Sequence, residues 1–180
     1  MRKKADAPLP GARYVASPNC DERPAGAAVT LLVVHAISLP PGRYGGDAIE
    51  RLFTNRLDPG AHPYFKEIQG LKVSSHFLVR RDGELVQFVP VHKRAWHAGA
   101  SSWRGRGRCN DFSVGVELEG VEEAPFSPAQ YFRQQKLIRA LRTALPLRDL
   151  AAHSDVAPGR KADPGAGFDW PRLLAALSRI

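Results

Sequence analysis

Residues 29–37, VTLLVVHAI, form a near-continuous apolar run rich in β-branched side chains. A strand that faces water on one side alternates polar with apolar. This one is apolar on both, which predicts a central strand covered on both faces. At 180 residues the chain is long enough to build such layers as one domain, with a core that needs no staples. His35 falls late in the run, on the face of Leu31 and Val33. A histidine there is commonly a hydrogen-bonded core residue, yet the ends of central strands are also where sites gather.

A second stretch, AHSDVAPGRKADPG at 152–165, concentrates reactive groups among turn residues. His153, Lys161 and Asp163 sit on a run with too many breakers for a helix. Imidazole and carboxylate are ordinary zinc ligands, and a neighbouring lysine can face a developing negative charge. Taken alone, a histidine and an aspartate so spaced describe a hydrogen-bonded turn as well as a metal site.

Between these stretches the elements are legible. Asp47 is placed to cap a short helix, AIERLFTN, and HPYFKEIQG adds a turn or two. SHFLVRRDGELVQFVP reads as a hairpin turning at Asp82-Gly83, with His76, a structural hydrogen bonder, opening it. VHKRAWHAGASSWRGRGRCND is a long polar-aromatic loop carrying Trp96 and Trp103. DFSVGVELEG returns to strand, with Val114, Val116 and Leu118 on one face and Gly115, Glu117 and Glu119 on the other. Either glutamate is a candidate base if that face lines a cleft, and the pattern does not choose between them. Ser127-Pro128-Ala129-Gln130 starts a helix running to about Leu145, and Asp169 caps a last helix docked by Leu173, Leu174 and Leu177. Residues 1–27, rich in Pro, Ala and Gly, are expected to be an extended N-terminal arm packed by Leu9, Tyr14 and Val15; residues 28–180 form the domain proper.

Charge narrows the function classes. The net charge of +8 and the arginines of WRGRGRC at 103–109 invite a nucleic-acid reading. No helix-turn-helix, zinc-finger spacing or RNP motif accompanies them, so no nucleic-acid partner is expected. No apolar run reaches membrane-spanning length, and the basic start MRKK has no apolar segment behind it. A cytoplasmic protein is expected, with Cys20 and Cys109 reduced in preference to joined in a lone disulfide.

From Leu31 to Trp170 these stretches also carry a resemblance. Through LLVVHAISLPPG, FTNRLDPGAHPYF, SSHFLVRRDGELVQFVP, KRAWHAG, GRGRCNDFSVGVELEG and HSDVAPGRKADPG, in that order, the chain resembles the zinc-dependent N-acetylmuramoyl-L-alanine amidases of type 2. Within them it is most similar to the cytoplasmic enzymes that act on 1,6-anhydro-N-acetylmuramyl-L-alanine. The resemblance implies an α/β fold shared with peptidoglycan-recognition proteins, a mixed central sheet flanked by helices. It implies one zinc ion on His35, His153 and Asp163, Glu117 as the base, and Lys161 near the oxyanion. It further implies an anhydro-muropeptide substrate in peptidoglycan recycling. Among the residues themselves, Lys72 and Arg108 are expected to read the carboxylates of the stem peptide and Trp96 to stack on the sugar, with no membrane partner and a monomer. The alternative is a non-catalytic muropeptide-binding module of the same fold. Ala36 stands where the family has an asparagine, Lys72 where an arginine is expected and Ala162 where threonine is common. The first two departures bear on substrate affinity, and none touches the ligands or the base.

Overall fold

In the computed structural model, which describes residues 8–177, the apolar run becomes strand β3, Leu31–Ile37, buried through its first five residues. It lies between β9 (Ser113–Glu119) and β10 (Asp149–Ala152), parallel to both. Beyond β9 the sheet continues through β4 (Phe77–Val79) and β5 (Leu85–Gln87) to β1 (Arg13–Tyr14). The β4–β5 pair is antiparallel and all other pairings are parallel, so the sheet is mixed.

Both faces are covered, as an apolar central strand demands. Leu32 and Val34, with Val114, Val116 and Leu118, meet α3 (Pro128–Ala144) and α5 (Trp170–Leu177) through Leu137, Ile138, Leu141 and Leu173. Truncating Ile138 or Leu141 to alanine there costs about 2–5 kcal/mol. The opposite face is divided. At the hairpin end, Leu78 and Val86 lie under α1 (Ala48–Phe53) and α2 (Pro63–Glu67). At the other end, Leu31, Val33 and Ala151 pack on Ala98, Phe112 and Val156.

Local rules account for most boundaries. Ser127 caps α3 in a capping box with Gln130, and Gly83, at φ +87, turns the β4–β5 hairpin. Asp47, however, makes no cap hydrogen bond; its carboxylate pairs with Arg51 at 2.7 Å, one turn along. In α5 Leu173 is buried while Leu174 is exposed, and the side chain of Leu177 lies outside the described residues.

Residues 8–27 run extended against the domain. Besides β1, β2 (Cys20–Glu22) pairs antiparallel with β6 (Lys93–Ala95). Arg23 then donates to the backbone carbonyls of Val91, Asn110, Asp111 and Ser113. The long polar loop therefore has order that composition did not predict: β6, a small hairpin of β7 (Ser102–Trp103) and β8 (Arg106–Gly107), and backbone pinned from across the fold. No helix among the described residues is long and apolar enough to cross a membrane.

Candidate active site

Three adjacent parallel strands end at one place. His35 stands near the C-terminal end of β3, and Glu117 is its register partner on β9. His153 follows the last residue of β10 and opens a single helical turn, α4 (His153–Val156). That turn was not expected from a stretch so rich in breakers; Asp155 makes it possible by accepting the Ala152 N–H at 2.8 Å. The chain loops on to Asp163, whose carbonyl accepts the Ser154 N–H at 3.0 Å and whose carboxylate accepts the Ala36 N–H at 3.3 Å. Crevices at the carboxyl ends of parallel strands are the usual binding places of α/β sheets.

The donor atoms of His35, His153 and Asp163 converge, and all three residues are buried. His35 Nδ1 lies 2.9 Å from His153 Nδ1 and 3.4 Å from Asp163 Oδ2, and His153 Nδ1 lies 3.0 Å from Asp163 Oδ2. A tetrahedral zinc with ligand bonds of about 2.0–2.1 Å sets its donors roughly 3.3 Å apart. The triangle therefore fits such an ion in donor type and in size. Burial pulls the His35 imidazole down to about 4, so it is neutral and ligand-ready at pH 7. Burial pushes the Asp163 carboxyl up, but hydrogen bonds from His153 and His35 outweigh it and hold the group below the usual carboxylate range.

Glu117 sits beside this triangle, with Oε1 4.0 Å from His35 Nδ1. Burial, reinforced by the Asp163 charge, pushes it well above the ordinary carboxyl value. Glu119, two residues on and on the same face, is committed elsewhere. It accepts from the Gly45 N–H at 2.7 Å, the Arg81 N–H at 3.1 Å and Arg80 at 3.2 Å. The sequence pattern leaves the two glutamates equivalent; their tertiary partners separate them.

All of these groups except Glu119 open onto a cleft of about 620 Å³. Lys161 lines it, and its charge acts on both His35 and Glu117. Trp96 forms part of the wall, its backbone N–H donating to Ser74 Oγ at 3.0 Å. Lys72 is exposed and lines a smaller adjoining pocket of about 110 Å³ with Leu57, Ile68 and Leu71. Arg108 lies outside both linings. Its backbone is left-handed at φ +60 and its guanidinium pairs with Asp111 at 3.2 Å. The other loop arginines are likewise occupied, Arg104 by Asp149 and Arg106 over the Phe112 ring.

Two pocket residues escaped the sequence reading. Arg160 lines the cleft and donates to the carbonyl oxygens of Ala98 and Ala100. His97 lies behind His35, with Nδ1 2.9 Å from His35 Nε2. His76, by contrast, is structural: it accepts the Gly115 N–H at 3.1 Å and reaches the Lys93 carbonyl at 3.0 Å.

Comparisons with known proteins converge on one family. Residues 25–166 match the family model described as N-acetylmuramoyl-L-alanine amidase. The chain is 53% identical to the 1,6-anhydro-N-acetylmuramyl-L-alanine amidase AmpD of Escherichia coli K12, over 95% of this chain and 94% of that one. It is 45% identical to the AmpD of Haemophilus influenzae, over 94% of each. A crystal structure of a selenomethionine AmpD derivative superposes with a TM-score of 0.92, at 53% identity, covering 93% of this chain and 95% of the other. A structure of the E. coli amidase AmiD, in complex with the substrate anhydro-N-acetylmuramic acid-L-Ala-D-γ-Glu-L-Lys, matches at 29% identity with a TM-score of 0.61. It covers 86% of this chain and 60% of that one.

Proposed function

The chain belongs to the N-acetylmuramoyl-L-alanine amidase family, and from that premise we propose how its cleft performs the reaction. The substrate bond is the amide between the lactyl group of 1,6-anhydro-N-acetylmuramic acid and L-alanine, the bond named in its AmpD relatives. The alternative of a non-catalytic binding module finds no support, since every donor of the triangle is in place.

His35, His153 and Asp163 would hold one zinc ion. Zinc bound there supplies Lewis acidity, which activates water and polarises the scissile carbonyl. Glu117 takes the proton of the attacking water and returns one to the leaving amine of L-alanine. Its pKa, raised by burial, moves in the direction that lets a carboxyl hold a proton and give it to the leaving amine. Lys161 faces the carbonyl oxygen as negative charge develops on it, a contribution worth about 3 kcal/mol.

The cleft also suggests how the peptide is read. Arg160 and Lys161 are the only cations lining it among the described residues. With Lys161 at the reaction centre, Arg160 remains for a stem carboxylate such as that of a γ-linked D-glutamate. Trp96 offers its ring to the sugar or the first residues of the stem, and Lys72 lies farther along, in the adjoining pocket. Free thiols at Cys20 and Cys109 suit a reducing cytoplasm.

The observation that carries this reading is the buried His35–His153–Asp163 triangle with Glu117 in register beside it. Its test is mass spectrometry of products from anhydro-muropeptide, with chelator and after zinc is restored. Free L-alanyl peptide and 1,6-anhydro-N-acetylmuramic acid should form, stop forming with chelator and return with zinc. Turnover that persists in the fully chelated protein removes the metal from the account.

A further inference from the structure

The imidazole of His35 has two nitrogens, and only Nδ1 faces the ligand triangle. Nε2 points the other way, 2.9 Å from His97 Nδ1. The far nitrogen of His97 then lies 3.2 Å from the hydroxyl of Ser113, which is fully buried. The backbone N–H groups of His97 and Ala98 both donate to Asn110 Oδ1, which fixes the segment bearing the ring. The space for that ring is reserved by β9. A Cβ built on Gly115 would stand 2.5 Å from His97 Cγ, closer than real side chains come. Glycine inside a strand often marks such a close approach.

We propose that His97 is a positioning residue: through the chain His35–His97–Ser113, in a slot kept open by Gly115, it fixes the tautomer and ring plane of His35 for metal binding. The inference rests on the reading of His35 as a ligand through Nδ1. A metal-binding Nδ1 carries no proton, so the His35 proton sits on Nε2 and is donated to His97 Nδ1. His97 must then carry its own proton on Nε2, where the Ser113 oxygen accepts it. Both rings are locked in one tautomer by one hydroxyl. The arrangement replaces the carboxylate or carbonyl that commonly supports a metal-ligating histidine with a neutral imidazole. It also falls on the histidine where support is available. The outer nitrogen of His153, Nε2, is buried with no partner among the described residues.

The test is zinc affinity, measured by competition with a chromophoric chelator, on the full chain. His97→Leu and His97→Asn have nearly the same shape, but only asparagine keeps an oxygen where Nδ1 was. Leucine should weaken zinc binding about 10–100-fold, the usual cost of losing an outer-shell partner. Asparagine should hold it within roughly 3-fold of the parent. Equal affinities for the two variants overturn the proposal, since packing alone would then explain His97. If the leucine variant fails to fold, Ser113→Ala carries the same question with almost no change in volume. A several-fold loss supports the chain, on the order expected for a more distant partner, and unchanged affinity overturns it. His153→Ala separates this proposal from the reading beneath it. If that variant also binds zinc like the parent, the ligand triangle has failed; if it alone loses zinc, only the role of His97 has.

Discussion

His35 and Glu117 face each other across two parallel strands, paired in register, with His35 Nδ1 4.0 Å from Glu117 Oε1. In the proposed roles of ligand and base, two side chains held by adjacent strands keep their spacing through the sheet's own hydrogen bonds, with no loop between them to flex. Because side chains alternate along a strand, the same register sends Val34 and Val116 together into the core beneath α3. One pairing thus builds the site and anchors it.

Glu117→Gln should retain zinc and the fold while turnover falls about 10²–10⁴-fold, the usual range for a lost general base. Glu119→Gln should do the reverse. It leaves chemistry largely intact but weakens the anchors of Gly45, Arg80 and Arg81, costing about 2–4 kcal/mol in denaturant unfolding. If Glu119→Gln kills turnover at full stability, the two roles are exchanged.

Lys161→Ala removes a charge beside the reaction centre without removing a ligand. Turnover should drop about 10²–10³-fold, with KM and zinc content little changed. A variant that loses zinc along with activity would make Lys161 a support of the metal site instead.

Arg160→Ala should raise KM several-fold for a stem carrying D-glutamate, about 10-fold if a charge-assisted pair of ~1.4 kcal/mol is lost. It should matter little for a substrate ending at L-alanine. Arg108→Ala, whose guanidinium pairs with Asp111 outside the cleft, should change neither. Steady-state kinetics on the two substrates decides between them. A larger effect at Arg108 would move peptide recognition to the WRGRGRC hairpin.

Acid should destabilise the metal-free protein in a defined window. Burial holds His35 near 4, His76 near 3 and His97 well below its ordinary value, so each is neutral in the fold where the unfolded chain takes up a proton. Their stability is present in full above about pH 6.5 and is lost as pH falls from there toward 4. Glu117, raised by burial, works in the opposite sense above its ordinary value. Three histidines outnumber the one carboxylate, so the net dependence follows the histidines. Unfolding free energy in chelator should therefore rise between pH 5 and 6.5; a flat or falling profile contradicts these buried neutral rings.

Much of this was legible in the sequence because it follows from local pattern. The β3 run, the Asp82-Gly83 hairpin and the Ser127–Gln130 capping box each announce themselves within a few residues. The proposed ligand set and the choice of Glu117 rest on family resemblance, because spacing alone cannot show that β3 and β10 end side by side. What stayed hidden depends on partners far along the chain. Glu119 is structural only because Gly45, Arg80 and Arg81 reach it. Arg160 matters because its loop folds back over Ala98 and Ala100. His97 looked like one more loop histidine. Its only local sign was Gly115, a residue without a side chain in the middle of a fully buried strand.

The central claim is that one zinc ion binds between His35, His153 and Asp163. Anomalous diffraction at the zinc absorption edge, from crystals grown with stoichiometric zinc, tests it without reference to activity. The account predicts a single peak in contact with His35 Nδ1, His153 Nδ1 and the Asp163 carboxylate, with Glu117 beside it but not bound. A peak elsewhere, or one that leaves any of the three ligands unengaged, would contradict it.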